Sequence, residues 1–156
     1  MKTYIGIDPG KTGSVTVLNE DGIVLYKTPT ILEEYDIVGM SNLLRPFHPS
    51  NSLVIIERAQ AMPKQGVVSM FKFGKGYGIW LGILGCLGLS YMVVHSRTWT
   101  RVMLDGAPGE GKERAVHVAR KLFPIWEPKL KKEYQYADSI LLAEYGRRLD
   151  KGEKDE

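Results

Sequence analysis

The chain has 156 residues, which fits one domain, and its 44% hydrophobic and 25% charged residues are the composition of a globular protein able to bury a core. A net charge of +3 does not by itself select a nucleic-acid partner. The single cysteine, Cys86, excludes an intrachain disulfide and a cysteine-based metal site, suits a reducing compartment, and is expected to be a small core residue.

In chain order, residues 3–7 alternate into a short strand broken by Asp8-Pro9-Gly10, residues 14–18 form a second, and residues 23–27 return as a third after the turn Asn19-Glu20-Asp21-Gly22. Met1 runs directly into this pattern, so no signal peptide is expected. A helix is predicted over 34–44, from the spacing of Ile37, Met40, Leu43 and Leu44, ending before Pro46 and Pro49. Residues 52–57 read as a fourth strand, and the unbroken run Leu53-Val54-Ile55-Ile56 suits one covered on both faces. Residues 59–74 lack periodicity and read as a loop, followed by a glycine-rich helix over 76–89 and a fifth strand over 91–94. The stretch 77–94 is uncharged and long enough to raise a membrane span, but Gly78, Gly82, Gly85 and Gly88 and the break at Gly88-Leu89-Ser90 favour a helix followed by a strand. Ser96 or Thr98 is placed to cap the next helix; further helices are predicted over 112–123 and 137–148, leaving a charged tail over 151–156. One α/β domain over 1–150 follows. Its mixed five-stranded sheet opens with three antiparallel strands and carries helices on its faces.

Asp8 follows the first strand, Glu57 ends the fourth, and Asp138 begins a helix whose next residues are Ile140, Leu141 and Leu142. Singly, each acid reads as a cap, a turn former or half of a salt bridge. Three acids at the ends of apolar elements that can converge point to metal binding, because a buried carboxylate needs a counter-charge. Oxygen ligands favour Mg or Mn over Zn, and two ions roughly 3.5–4 Å apart suit an in-line displacement at a phosphate. His48, His95 and His117 have no metal-ligand spacing and read as structural.

Three segments then carry a family resemblance. Gly6-Ile7-Asp8-Pro9-Gly10-Lys11-Thr12-Gly13 resembles the opening motif of RuvC-like Holliday junction resolvases. Glu57-Arg58-Ala59-Gln60-Ala61-Met62-Pro63-Lys64-Gln65-Gly66, continued by Met70-Phe71-Lys72-Phe73-Gly74-Lys75-Gly76-Tyr77-Gly78, resembles the second motif of their phage and organellar branch. Ala137-Asp138-Ser139-Ile140-Leu141-Leu142-Ala143-Glu144-Tyr145-Gly146 resembles the last. The resemblance implies an RNase H-like fold, a homodimer, and Mg2+-dependent (or Mn2+-dependent) paired nicking of four-way junctions and other branched DNA. Asp8, Glu57 and Asp138 would be the catalytic metal ligands, two ions would bind per site, and no small-molecule cofactor or membrane would be involved. A cytoplasmic location is expected, in a bacterial host cell if the chain is phage-encoded. The family supplies a fourth acid three or four residues before the position of Asp138; here those residues are Gln135 and Tyr134. Glu133 or the Gln135 carbonyl oxygen can replace it. With neither, the alternative is a branched-DNA-binding protein impaired in metal binding and cutting.

Between Arg58 and Leu104 there is no Asp or Glu. Arg58, Lys64, Lys72 and Lys75 are therefore candidate DNA contacts, and the lysines near Phe71, Phe73 and Tyr77 suit phosphates beside unstacked bases. Lys112, which begins a helix after Gly111, is placed to reach a phosphate and reads equally as an ordinary helix-surface lysine. Those aromatics read equally well as core anchors. Gly78, Gly82 and Gly85 share a helix face, and their cost of around 0.5–1 kcal/mol each relative to alanine suggests close approach to the sheet or to a second copy. A nucleotide-binding phosphate loop is excluded, because only three residues separate Gly6 from Gly10-Lys11.

Overall fold

The computed structural model describes residues 1–153. Strands β1 (Thr3–Asp8), β2 (Ser14–Asn19) and β3 (Gly22–Lys27) form the expected antiparallel meander, with Asn19 paired to Gly22 across a two-residue turn. A two-stranded hairpin follows, β4 (Thr30–Ile31) with β5 (Glu34–Tyr35), and then α1 (Ile37–Leu44). The helix predicted from residue 34 thus starts three residues late. Glu34 and Tyr35 pair as strand, and the Asp36 side chain caps the helix by accepting from Gly39 N at 2.9 Å. Strand β6 (Ser52–Glu57) pairs parallel with β1, and β7 (Tyr91–Val94) parallel with β6, giving the order β3-β2-β1-β6-β7.

Between β6 and β7 lies α2 (Val67–Leu87), which takes in half of the predicted loop. Its first turns lack periodicity because Val67, Val68 and Phe71 point to solvent, so no apolar stripe marks them. Then come α3 (Ser96–Met103), α4 (Gly111–Leu122), a short 3-10 helix (Lys131–Gln135) and α5 (Tyr136–Lys151). Neither Ser96 nor Thr98 caps α3: the cap residue is His95, without a side-chain bond. Asp150 and Lys151 close α5 rather than opening a tail, and residues 154–156 lie outside the described part.

Strand alternation divides the core between the two faces of the sheet. Ile5, Ile7, Val15, Val17, Val54 and Ile56 pack against Met40 and Leu44 of α1 and Trp80, Ile83 and Leu84 of α2. Ile55 faces the other way, into Trp99 and Met103 of α3, Ala115 and Ala119 of α4, and Ile140 and Leu141 of α5. The apolar run of β6 is therefore covered on both sides, as expected. Among the described residues no helix is long and apolar enough to cross a membrane. Cys86 is exposed on α2 rather than buried, because the helix turns that side away from the sheet.

Candidate active site

Ile7 pairs with Ile56 in the parallel β1–β6 ladder, so the next residues, Asp8 and Glu57, leave the sheet side by side at its carboxyl edge. Alternation sends both to the α5 face: Asp8 follows Tyr4 and Gly6, and Glu57 follows Ile55. Helix α5 lies directly on β1. A Cβ on Gly6 would stand 2.0 Å from the Ser139 carbonyl oxygen and 2.6 Å from Ala143 N, so only glycine admits the helix here. A Cβ on Gly13 would likewise stand 2.0 Å from the Asp8 carbonyl oxygen, so glycine closes the turn that presents Asp8. The glycines of the opening motif therefore serve close packing.

The first turn of α5 is fixed by buried hydroxyls. Ser14, opposite Asp8 in the β1–β2 ladder, donates to the Gln135 carbonyl at 2.9 Å and meets Ser139 Oγ at 2.7 Å; Thr16 Oγ1 lies 2.8 Å from the same Ser139 Oγ. This anchoring sets Asp138, one residue before Ser139, beside Asp8 and Glu57. The three predicted acids are brought together from positions far apart in the chain.

Their electrostatics report the proximity. Burial first, then the neighbouring Asp138 and Glu57 charges, hold the Asp8 carboxyl well above the usual carboxylate range, while Lys112 pulls it back. Glu57 is also raised, chiefly by burial and further by Asp138; a bond from Trp99 and the charge of Lys112 oppose the rise. The Lys112 ammonium is bonded to Oδ2 of Asp138. Among the described residues no three Asp, Glu, His or Cys side chains close around one ion-sized point as they stand. The donor set is nonetheless all carboxylate, mutually repelling, and compensated by a lysine. That chemistry fits a hard divalent cation and gives no reason for zinc.

The predicted basic residues divide. Arg58 and Lys64 are exposed, Arg58 beside His95, whose ring also meets Gln60. Lys72 is exposed and lines a groove of about 350 Å3 together with Asp8, Gly10, Lys11, Gln65, Ser69 and Phe73. Lys75, contrary to expectation, has an acidic partner, Glu34 at 2.8 Å, and Lys112 pairs with Asp138. Those acids lie outside the 58–104 window and reach the lysines only through the fold. The two aromatics also part company. Phe71 is exposed, and Phe73 lies against Gly10 in the groove. A larger cavity, about 450 Å3, sits at the other end of β1 around Lys2, Tyr4, Phe123 and Arg147, away from the acids.

No family model and no curated protein matches the chain. Solved structures do. Thermus thermophilus RuvC superposes with a TM-score of 0.67 at 19% identity, over 96% of this chain and 96% of that one. The fold is the RNase H-like fold of RuvC. T. thermophilus RuvC in complex with Holliday junction substrate gives a TM-score of 0.66 at 17% identity, over 96% of this chain and 97% of that one.

Sequence reasoning missed two contributions to this site. Trp99 Nε1 donates to Glu57 Oε2 at 2.6 Å from inside the core, and no motif marks it, because the pairing is set by how α3 packs on β6. The buried trio of Ser14, Thr16 and Ser139 carried a weak signal: polar residues at inward positions of apolar elements. Glu133, one of the expected replacements for the fourth acid, is engaged within its own segment. Its Oε2 accepts from Lys129 N and Leu130 N at 2.9 and 2.7 Å, which ties it to the start of its own 3-10 helix.

Proposed function

We propose that this chain is a metal-dependent endonuclease that cuts branched DNA, four-way junctions above all, by paired symmetric nicks. The observation that carries the proposal is the convergence of Asp8, Glu57 and Asp138 at the carboxyl edge of β1 and β6, against the first turn of α5. Asp8, Glu57 and Asp138 would hold Mg2+ or Mn2+, with room in the scheme for two ions. A divalent cation there supplies a water of lowered pKa and neutralises charge developing on the phosphate. Asp8, Glu57 and Asp138 would bind the cation as carboxylates, and Lys112, bonded to Asp138 in this structure, would then be free for a phosphate oxygen. Arg58, Lys64, Lys72 and Lys75 would carry the DNA backbone, and Phe73 lines the groove along which a strand would reach Asp8.

The nicking of two symmetric strands asks for a twofold dimer. The outer face of α2 supports one. Gly74, Gly78, Gly82 and Gly85 face open space, so their close-approach surface is not used by the sheet of the same chain and is available to a second copy. A cytoplasmic location accords with the single unpaired thiol.

The test is a synthetic four-way junction incubated with Mg2+ or Mn2+ and run on a denaturing gel. Paired nicks are expected, lost in Asp8→Asn while junction binding persists. A second reading, a junction-binding protein that does not cut, is favoured by one observation: Glu133 is committed elsewhere and the family's fourth acid is replaced by Gln135. Binding without nicks at any metal concentration would select it.

A further inference from the structure

We infer that Trp99 is the positioning residue for Glu57, holding one carboxylate oxygen so that the other is presented to the divalent cation. The inference rests on the proposed metal-dependent function and adds to it a residue that the acidic motifs do not contain. Glu57 stands at the last position of β6, where the ladder to β7 ends at Val94. Its side chain has several rotatable bonds and partial exposure, so the strand alone leaves its carboxylate free to turn. Trp99 removes that freedom. Trp99 is 2% exposed, in the buried cluster that also holds Ile55, Val94, Met103 and the α5 residues Ala137 and Ile140, and its N–H reaches Glu57 Oε2 at 2.6 Å.

The chemistry of the partner matters. An indole N–H is a donor only, so it cannot ligate a cation, cannot take the proton of the carboxyl, and cannot compete with the cation as a base would. It binds the ionised carboxylate, which is the form a cation needs, and it saturates one oxygen. Oε1 remains for coordination. A lysine or arginine here would add positive charge against the incoming ion; a tryptophan anchors without charge. A donor of this kind behind a carboxylate ligand is worth 10–100-fold in metal affinity or activity when lost. The core supplies the rigidity: Trp99 is buried in the cluster between the sheet and α5, and α3 packs on α5, the helix that carries Asp138.

The experiment is Mn2+ binding to the full-length chain by calorimetry, with thermal melting on the same samples. Trp99→Phe keeps an aromatic ring and removes the donor; 3-benzothienylalanine at position 99 replaces N–H by sulfur with nearly unchanged shape and covers the case in which Trp99→Phe does not fold. Expected is a 10–100-fold weaker Mn2+ affinity in the folded variant, and an equal rise in the Mn2+ concentration giving half-maximal nicking, with the rate at saturating metal close to wild type. Junction binding in the absence of metal is expected to be unchanged. A lowered melting temperature with unchanged Mn2+ affinity would reduce Trp99 to a core residue and overturn the inference while the nuclease reading stands. Wild-type chain that binds no Mn2+ would remove the metal-dependent function itself, and the inference with it.

Discussion

The Lys112 ammonium sits on Oδ2 of Asp138, from the second residue of α4 to the first turn of α5, and through that bond a lysine supplies the positive charge among three acids. The pair joins two segments that the sequence treats separately. It makes Lys112 a competitor for the carboxylate that the proposed cation would need. Lys112→Met keeps the aliphatic stem and removes the charge. Without added metal its thermal midpoint is expected to fall slightly, since a part-exposed pair contributes at most about 1 kcal/mol, some 2–4 °C at this chain length. The rise in midpoint on adding Mn2+ is expected to exceed that of the wild type. Differential scanning fluorimetry across a Mn2+ series reads both, and equal rises in the two proteins would contradict the competition.

Gly6 tests the docking of α5. A methyl group there meets backbone on two sides, the Ser139 carbonyl and the Ala143 amide, and backbone cannot turn aside. Gly6→Ala is expected to cost more than about 4 kcal/mol, the range reserved for mutations that break a packed element, or to prevent folding. Urea unfolding followed by far-UV circular dichroism measures it. A loss under 1 kcal/mol would mean that α5 can shift off β1, and that Asp138 is not held by this contact.

Much of this architecture was legible beforehand, for identifiable reasons. Strands β6 and β7 matched the prediction to the residue, because Leu53-Val54-Ile55-Ile56 and Tyr91–Val94 are short apolar β-branched or aromatic runs with sharp ends. The placement of Asp8 and Glu57 at the sheet's carboxyl edge followed from strand ends. What failed was of two kinds. The start of α2 was missed because its outer residues, Val67, Val68 and Phe71, are apolar and exposed, so burial and hydropathy no longer coincide. The partners of Lys75, Lys112 and Glu57 were missed because each pair is 26 to 42 residues apart, and only packing brings them together. The reading of Lys75 as free of acids came from local sequence, where charge pairing across the fold leaves no trace.

Glu144 gives a pH dependence of defined sign. It is nearly inaccessible on α5, yet accepts from Arg147 Nε and Nη2 at 2.7 and 2.6 Å and from Arg148 Nε at 3.0 Å. Burial pushes its carboxyl up, and the two arginines together outweigh burial and hold it below the ordinary glutamate range. A lowered folded pKa contributes stability above the unfolded value that is lost as pH falls through the folded one. Asp8, raised by burial, works in the opposite direction. The difference between wild type and Glu144→Gln therefore isolates the effect. Expected is a loss of roughly 1–3 kcal/mol at pH 7, the range for hydrogen bonds to a charged group, shrinking as pH drops below about 4. Urea midpoints at pH 7, 5 and 3.5 give the trend; a gap independent of pH would assign the loss to packing.

Gly82 separates the proposed dimer from a lone chain. It is mid-helix in α2 and a Cβ there meets nothing within 4 Å. In an isolated chain Gly82→Ala is expected to stabilise by about 0.5–1 kcal/mol, the ordinary gain for alanine in a helix. If a second copy packs its backbone on this face, the same substitution weakens association. Sedimentation velocity over a concentration series, alongside thermal melting, distinguishes the outcomes. An unchanged sedimentation profile in a stabilised variant would take the glycine face out of the dimer.

Gln135 occupies the place where the resemblance expects an acid, and its surroundings make it the residue to change. It adopts helical backbone angles immediately before α5, three residues ahead of Asp138, which puts the two on one helical face. Its backbone carbonyl accepts from Ser14, the strand neighbour of Asp8. Glu133 has no such access, since its carboxylate is held by the amides of Lys129 and Leu130. Gln135→Asp is therefore expected to add a fourth carboxylate to the site, to lower the Mn2+ concentration for half-maximal junction nicking, and to raise the number of ions bound in calorimetry. Glu133→Gln is expected to leave nicking unchanged and to loosen the 3-10 helix alone. The pair of variants is decisive because the two residues are close in sequence but bonded in different directions. Impaired nicking in Glu133→Gln with no gain in Gln135→Asp would reverse the assignment and return Glu133 to the metal.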